Sequence, residues 1–159
     1  MNVLFLDMDG VINGTEFEKQ YFREYGIRLR CFECVCPIMV HRVNKLIEEF
    51  DLKIVWSSDW RLYGSNFEEK RKILKDTGIL AENLIGITPS DDFFCERREE
   101  IEYYLINHPE ITFSIILDDR EDAEVKDYDN CFYIRTTMKH GFTRELYEKA
   151  RNICIKNIR

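Results

Sequence analysis

The 159-residue chain has few residues that interrupt secondary structure: three prolines and seven glycines, with no stretch rich in Pro, Gly or Ser that would read as a linker. It shows no internal repeat, which excludes solenoids and propellers. No apolar run approaches the roughly 20 residues of a membrane span. The first such run is cut after six residues by Asp7 and Asp9, which argues against a secretory signal. Basic residues are also scarce: 23 Lys and Arg against 30 Asp and Glu give a net charge of −7. That balance excludes a broad basic surface as the main means of binding nucleic acid, but not a local basic pocket. The histidines, His41, His108 and His140, lack metal-ligand spacing.

One domain over residues 1–159 is expected, large enough to bury roughly two-thirds of its unfolded surface. Six cysteines are present. Without a secretory signal they point to a reducing, cytoplasmic setting and free thiols. CFECVC at 31–36 brings Cys31, Cys34 and Cys36 together, but no matching CxxC or HxxxH offers a fourth zinc ligand, so small buried side chains are expected there.

Short apolar runs at 2–7, 53–57, 83–88, 113–119 and 131–136 read as buried strands. Helices are expected at 38–50, 65–76, 96–107 and after Thr143. Ser65 and Glu68 would cap the second, and Pro109 ends the third. Asp91 and Asp92 are expected as a cap and its solvated neighbour. Strands alternating with helices imply an α/β, Rossmann-like three-layer sandwich with a mainly parallel five-stranded sheet. Ligands of such sheets bind at the carboxyl ends of the strands. Polar residues collect there: Asp7 and Asp9 after the first strand, Ser57, Ser58 and Asp59 after the second, Asp118 and Asp119 at the fourth.

Three carboxylates at neighbouring strand ends would repel one another unless a hard divalent cation joined them. Mg²⁺ is the expected cofactor, with Asp7 and one of Asp118 and Asp119 as ligands. Aspartate is an established covalent nucleophile in phosphoryl transfer. Asp7 or Asp9 could attack phosphorus while the other protonates the leaving oxygen. Gly10 permits the turn that follows. A hydroxyl from Ser57 or Ser58 and a cation from Arg97, Arg98 or Arg61 would hold the phosphoryl oxygens. Trp60 is expected to pack beside the site, and Glu121 and Asp122 to be exposed.

These motifs, in this order, resemble the haloacid dehalogenase-like (HAD) phosphohydrolase superfamily: DMDGVIN at 7–13, KIVWSS at 53–58, Arg98 as the third-motif cation and ILDD at 116–119. SSDWR at 57–61, RxEI at 98–101 and GFT at 141–143 are similar, more narrowly, to the small HAD domains of RNA-repair proteins and the phosphatase halves of polynucleotide kinase-phosphatases. The resemblance implies Asp7 as nucleophile and Asp9 as acid/base. It implies Mg²⁺ held by Asp7, the backbone carbonyl of Asp9 and Asp119, with Asp118 supporting. Ser57 and Arg98 would assist catalysis, and Ser58, Arg61 and Gly10 would bind substrate.

Only residues 14–37 lie between the first motif and the next helix. They leave room for a short flap such as a hairpin, not a cap domain. Phe17, Tyr21, Phe22, Tyr25 and Phe32, with Lys19, Arg23, Arg28 and Arg30, could stack bases there, although packing of the aromatics onto the core is preferred. The expected function is a Mg²⁺-dependent phosphomonoesterase with an open site suited to an RNA or DNA 3′-phosphate end. Alternatives are a small-molecule phosphatase or 5′-nucleotidase, a phosphoprotein phosphatase and, in a different class, a non-catalytic HAD-like binding domain. The natural substrate and oligomeric state stay open.

Overall fold

A computed structural model describes residues 1–29, 34–90 and 94–158. Expectations for Arg30, Cys31, Phe32, Asp91 and Asp92 fall outside the described residues. Cys34 and Cys36 are buried. No helix among the described residues is long and apolar enough to cross a membrane.

Five strands, β1 (Asn2–Leu6), β2 (Lys53–Trp56), β3 (Leu84–Ile87), β4 (Phe113–Asp118) and β5 (Cys131–Arg135), form one sheet in the order β3-β2-β1-β4-β5. All four pairings are parallel. The helices are α1 (Thr15–Tyr25), α2 (Pro37–Phe50), α3 (Phe67–Asp76), α4 (Arg97–Asn107) and α5 (Arg144–Asn157). Side chains alternate between the sheet's two faces. Leu4, Leu6, Ile54, Trp56, Ile115 and Leu117 pack with Val43, Leu46, Leu74, Ala150 and Cys154 of α2, α3 and α5. Val3, Phe5, Val55 and Ile116 pack with Ile101, Tyr104 and Leu105 of α4. The result is the expected three-layer sandwich.

The chain runs outward from β1 through β2 to β3, then crosses back to β4 on the other side of β1. That reversal opens a crevice at the carboxyl ends of β1 and β4, where open α/β sheets bind ligands. Sheet hydrogen bonding continues one residue past the strands. Asp7 N–H donates to Leu117 O, Ser57 N–H to Leu6 O and Thr136 N–H to Asp118 O. Asp7, Ser57 and Asp118 are thereby held level at the sheet edge.

Two local expectations need correction. The cap of α3 is Asn66, whose side chain accepts from Glu69 N–H, while Ser65 N–H donates to the Glu69 carboxylate. Asparagine one residue later caps as well as serine, so the helix starts later. Residues Thr15–Tyr25 of the flap are helical, because Phe17, Tyr21 and Tyr25 recur at the i, i+4 spacing that lets rings meet along a helix, with centroids 6.1 and 4.7 Å apart. No residue of α1 is buried, so its aromatics stack on one another instead of filling the core.

Candidate active site

The first element of the site is the turn after β1. Gly10 has φ +68°, the left-handed region open to glycine, and its N–H donates to Asn13 Oδ1 at 2.7 Å. A Cβ there would lie 2.7 Å from Asp119 Oδ2 and 2.8 Å from Asp119 Cγ. The missing side chain thus lets the chain turn and lets a carboxylate from β4's end approach β1's. Gly10→Ala is expected to cost at least about 1–2 kcal/mol for the left-handed backbone alone, read as a lower urea midpoint.

Asp7, Asp118 and Asp119 each place one carboxylate oxygen so that all three lie within 4.8 Å of one another. Asp118 Oδ1 accepts from Arg120 N–H at 2.9 Å, while its buried Oδ2 has no hydrogen-bond partner. Burial pushes the Asp7 carboxyl up to about 6, against the pull of Arg97 and a hydrogen bond from Ser58. Burial and then the Asp7 charge push Asp118 up to about 8. Burial also raises Asp119. An oxygen-rich, crowded carboxylate set with an orphaned buried oxygen fits a hard divalent cation.

Asp9 is held apart from this cluster. Its Oδ1 accepts from Asn13 Nδ2 and its Oδ2 from Trp60 Nε1, both at 2.8 Å. A carboxylate has about four lone-pair sites, so a proton can still bind there. Trp60, expected only to pack, is nearly fully buried and also orients Asp9 through its indole N–H.

The cation beside the carboxylates is Arg97, not Arg98. Arg97 is 2% exposed. Its Nε lies 3.5 Å from Asp118 Oδ2, its Nη1 3.2 Å from Glu100 Oε2 and its Nη2 3.1 Å from Asp59 Oδ1. The Arg98 side chain is 46% exposed and pairs with Glu96. Helical geometry gives the reason. Arg97, Ile101, Tyr104 and Leu105 form the buried stripe of α4, and residue 98 lies off it.

Arg61 is also repositioned. Expected to bind substrate, it is 4% exposed, donating to Glu100 Oε1 at 2.7 Å and to Pro89 O at 3.3 Å. Glu100 joins the two guanidiniums, which would otherwise repel each other. Of the two serines, Ser58 bonds Asp7 and accepts from Trp60 N–H, whereas the buried Ser57 hydroxyl has no partner. Asp122 is partly buried and salt-bridged to Arg120, and Glu121 is exposed and paired with Arg135. Arg97, Glu100, Asn13 and the indole donor are residues that sequence reasoning missed or misranked. For Arg97 alone the helical stripe was a readable signal.

A cavity of about 550 Å³ lies against α2 and α5, lined by Lys45, Glu48, Glu49, Tyr147, Glu148 and Arg151. It contains no strand-end residue. A cavity of about 350 Å³ does touch the site, lined by Asp9, Asp59, Trp60, Leu62 and Tyr63.

Residues 3–146 match the profile of the family described as HAD domain in Swiss Army Knife RNA repair proteins. No curated protein and no solved structure matches the chain significantly.

Proposed function

Because the chain belongs to the family of HAD domains in Swiss Army Knife RNA repair proteins, we propose that it is a Mg²⁺-dependent, cytoplasmic phosphomonoesterase acting on a nucleic-acid 3′-phosphate end. The observation that carries this reading is the meeting of Asp7, Asp118 and Asp119 within 4.8 Å at the crevice between β1 and β4.

Asp7, Asp118, Asp119 and the backbone carbonyl of Asp9 would hold Mg²⁺, which when bound offsets the charge of the carboxylates and the phosphate. An Asp7 carboxylate oxygen attacks phosphorus as the ester P–O bond breaks. The leaving oxygen takes the electron pair of that bond and the proton on Asp9. The products are an alcohol and an aspartyl-phosphate on Asp7. Asp9, now a carboxylate, takes a proton from water as the water oxygen bonds phosphorus. The bond from phosphorus to Asp7 breaks, releasing inorganic phosphate and restoring both carboxyl groups. The Ser57 hydroxyl is free to donate to a phosphoryl oxygen. Arg97 carries five N–H donors and directs three of its nitrogens at Asp118, Glu100 and Asp59. The remaining donors can serve the phosphoryl group.

A substrate screen with Mg²⁺ tests this reading: 3′-phosphorylated oligonucleotides against 5′-nucleotides, sugar phosphates, phosphopeptides and an aryl phosphate. Preference for the oligonucleotide end supports it. Preference for a small metabolite or phosphopeptide overturns the substrate assignment, and no turnover by folded protein overturns the enzyme. Asp9→Asn should slow esters with poor leaving groups by about 10²–10⁴-fold and aryl phosphates far less. Equal slowing across leaving groups would count against Asp9 as the acid.

A further inference from the structure

The cavity beside Asp9 is not used by the chemistry above, and its position relative to that chemistry is constrained. Asp9 gives its proton to the leaving oxygen, so whatever fills the space adjoining Asp9 is the body of the leaving group. Leu62 and Tyr63 supply exposed apolar surface at 66% and 51%, and Trp60 continues it inward. These residues sit on a braced segment. Ser58 caps the turn Asp59–Leu62, Tyr63 N–H bonds Trp60 O, and the Lys70 ammonium donates to the carbonyls of Arg61, Tyr63 and Gly64. The charged groups lining the cavity are two carboxylates, Asp9 and the largely exposed Asp59. Such a rim accepts hydrogen bonds from hydroxyls and amino groups. An aromatic and aliphatic surface edged by acceptors matches a nucleoside, with its flat base, ribose hydroxyls and exocyclic amines.

Resting on the phosphatase reading, we infer that the cavity formed by Asp9, Asp59, Trp60, Leu62 and Tyr63 seats the base and ribose of a nucleoside 3′-phosphate as it leaves. Specificity for the leaving group therefore lies after β2, not in the aromatic ridge of α1.

The test compares a 3′-phosphorylated oligonucleotide with its counterpart abasic at the terminal residue, and a nucleoside 3′-monophosphate with ribose 3-phosphate. Wild type is set against the Leu62→Ala/Tyr63→Ala variant. Both substituted side chains are exposed, so a thermal melt should report an intact fold. In wild type, KM for the base-bearing member of each pair should be lower by about 10-fold or more, the scale of one stacked base. In the variant that ratio should fall to within about twofold of unity. A preference confined to the oligonucleotide pair also supports the inference and identifies a strand end as the source. Equal KM values in wild type, or a ratio that survives in the variant, overturn the groove while leaving the phosphatase standing. No hydrolysis of any of the four compounds overturns the 3′-phosphatase reading and the groove with it.

Discussion

Asp7→Asn should lower Mg²⁺-dependent ester hydrolysis by at least about 10³-fold, since removing a covalent nucleophile leaves only binding and electrostatic assistance. The same substitution should raise the thermal midpoint of the metal-free protein at pH 8. The Asp7 carboxyl titrates near 6 in the fold and Asp118 near 8, both raised above 3.8, chiefly by burial. The folded state therefore holds more protons than the unfolded chain across this range, and stability falls as pH rises. The stability these groups confer is fully present below 3.8, and is lost as pH climbs through about 6 and then about 8. Asparagine keeps the shape of aspartate without the buried charge, and it relieves Asp118 of that charge. Each kcal/mol gained moves the midpoint of a domain this size by about 2–4 °C. Mg²⁺ should stabilise wild type at pH 8 more than it stabilises the variant. A variant with more than a tenth of wild-type activity would remove Asp7 from the nucleophile's role, and an unchanged response to Mg²⁺ would remove it from the metal site. A gain in stability with a loss in activity is what a site strained for function predicts.

The sheet and its carboxyl edge were legible because two simple rules govern them. Apolar runs of strand length mark buried strands, and parallel strands carry their polar residues out at one end. Asp7 and Asp118 needed nothing more to be brought together, because backbone hydrogen bonds fix their level. Residues placed by rotation or by a single side-chain bond were harder to read. Asn66 replaced Ser65 as the cap of α3 because neighbouring polar residues differ little in capping strength. The indole of Trp60 reaches Asp9 across 51 positions of sequence, and no local pattern announces that bond. The flap aromatics carried a helical spacing, but spacing alone does not say whether a face meets the core or itself.

Arg97→Ala and Arg98→Ala should separate sharply, although the residues are adjacent. The Arg97 side chain is surrounded by Asp118, Glu100 and Asp59. Removing one partner of a buried pair costs about 3–5 kcal/mol, because the remaining charge stays without compensation. At Arg97 the loss falls chiefly on the Glu100 carboxylate, which keeps Arg61 as a partner. Arg98 makes one pair with Glu96, both side chains substantially exposed, and such pairs contribute about 0–1 kcal/mol. Urea midpoints should therefore fall steeply for Arg97→Ala and barely for Arg98→Ala, with activity in the latter within about twofold of wild type. Arg97→Lys distinguishes a structural from a chemical role. A lysine ammonium restores one positive charge but not the planar fork that meets three acceptors. It should recover most of the stability lost by Arg97→Ala while kcat stays down by about 10²-fold, the usual cost of losing one preorganised donor. Full recovery of kcat by lysine would reduce Arg97 to a counter-charge. Equal damage from Arg98→Ala would return the role to the residue that the linear motif favours. The outcome turns on roughly 100° of helical rotation between two neighbouring arginines, which the stripe through Ile101, Tyr104 and Leu105 resolves in favour of Arg97.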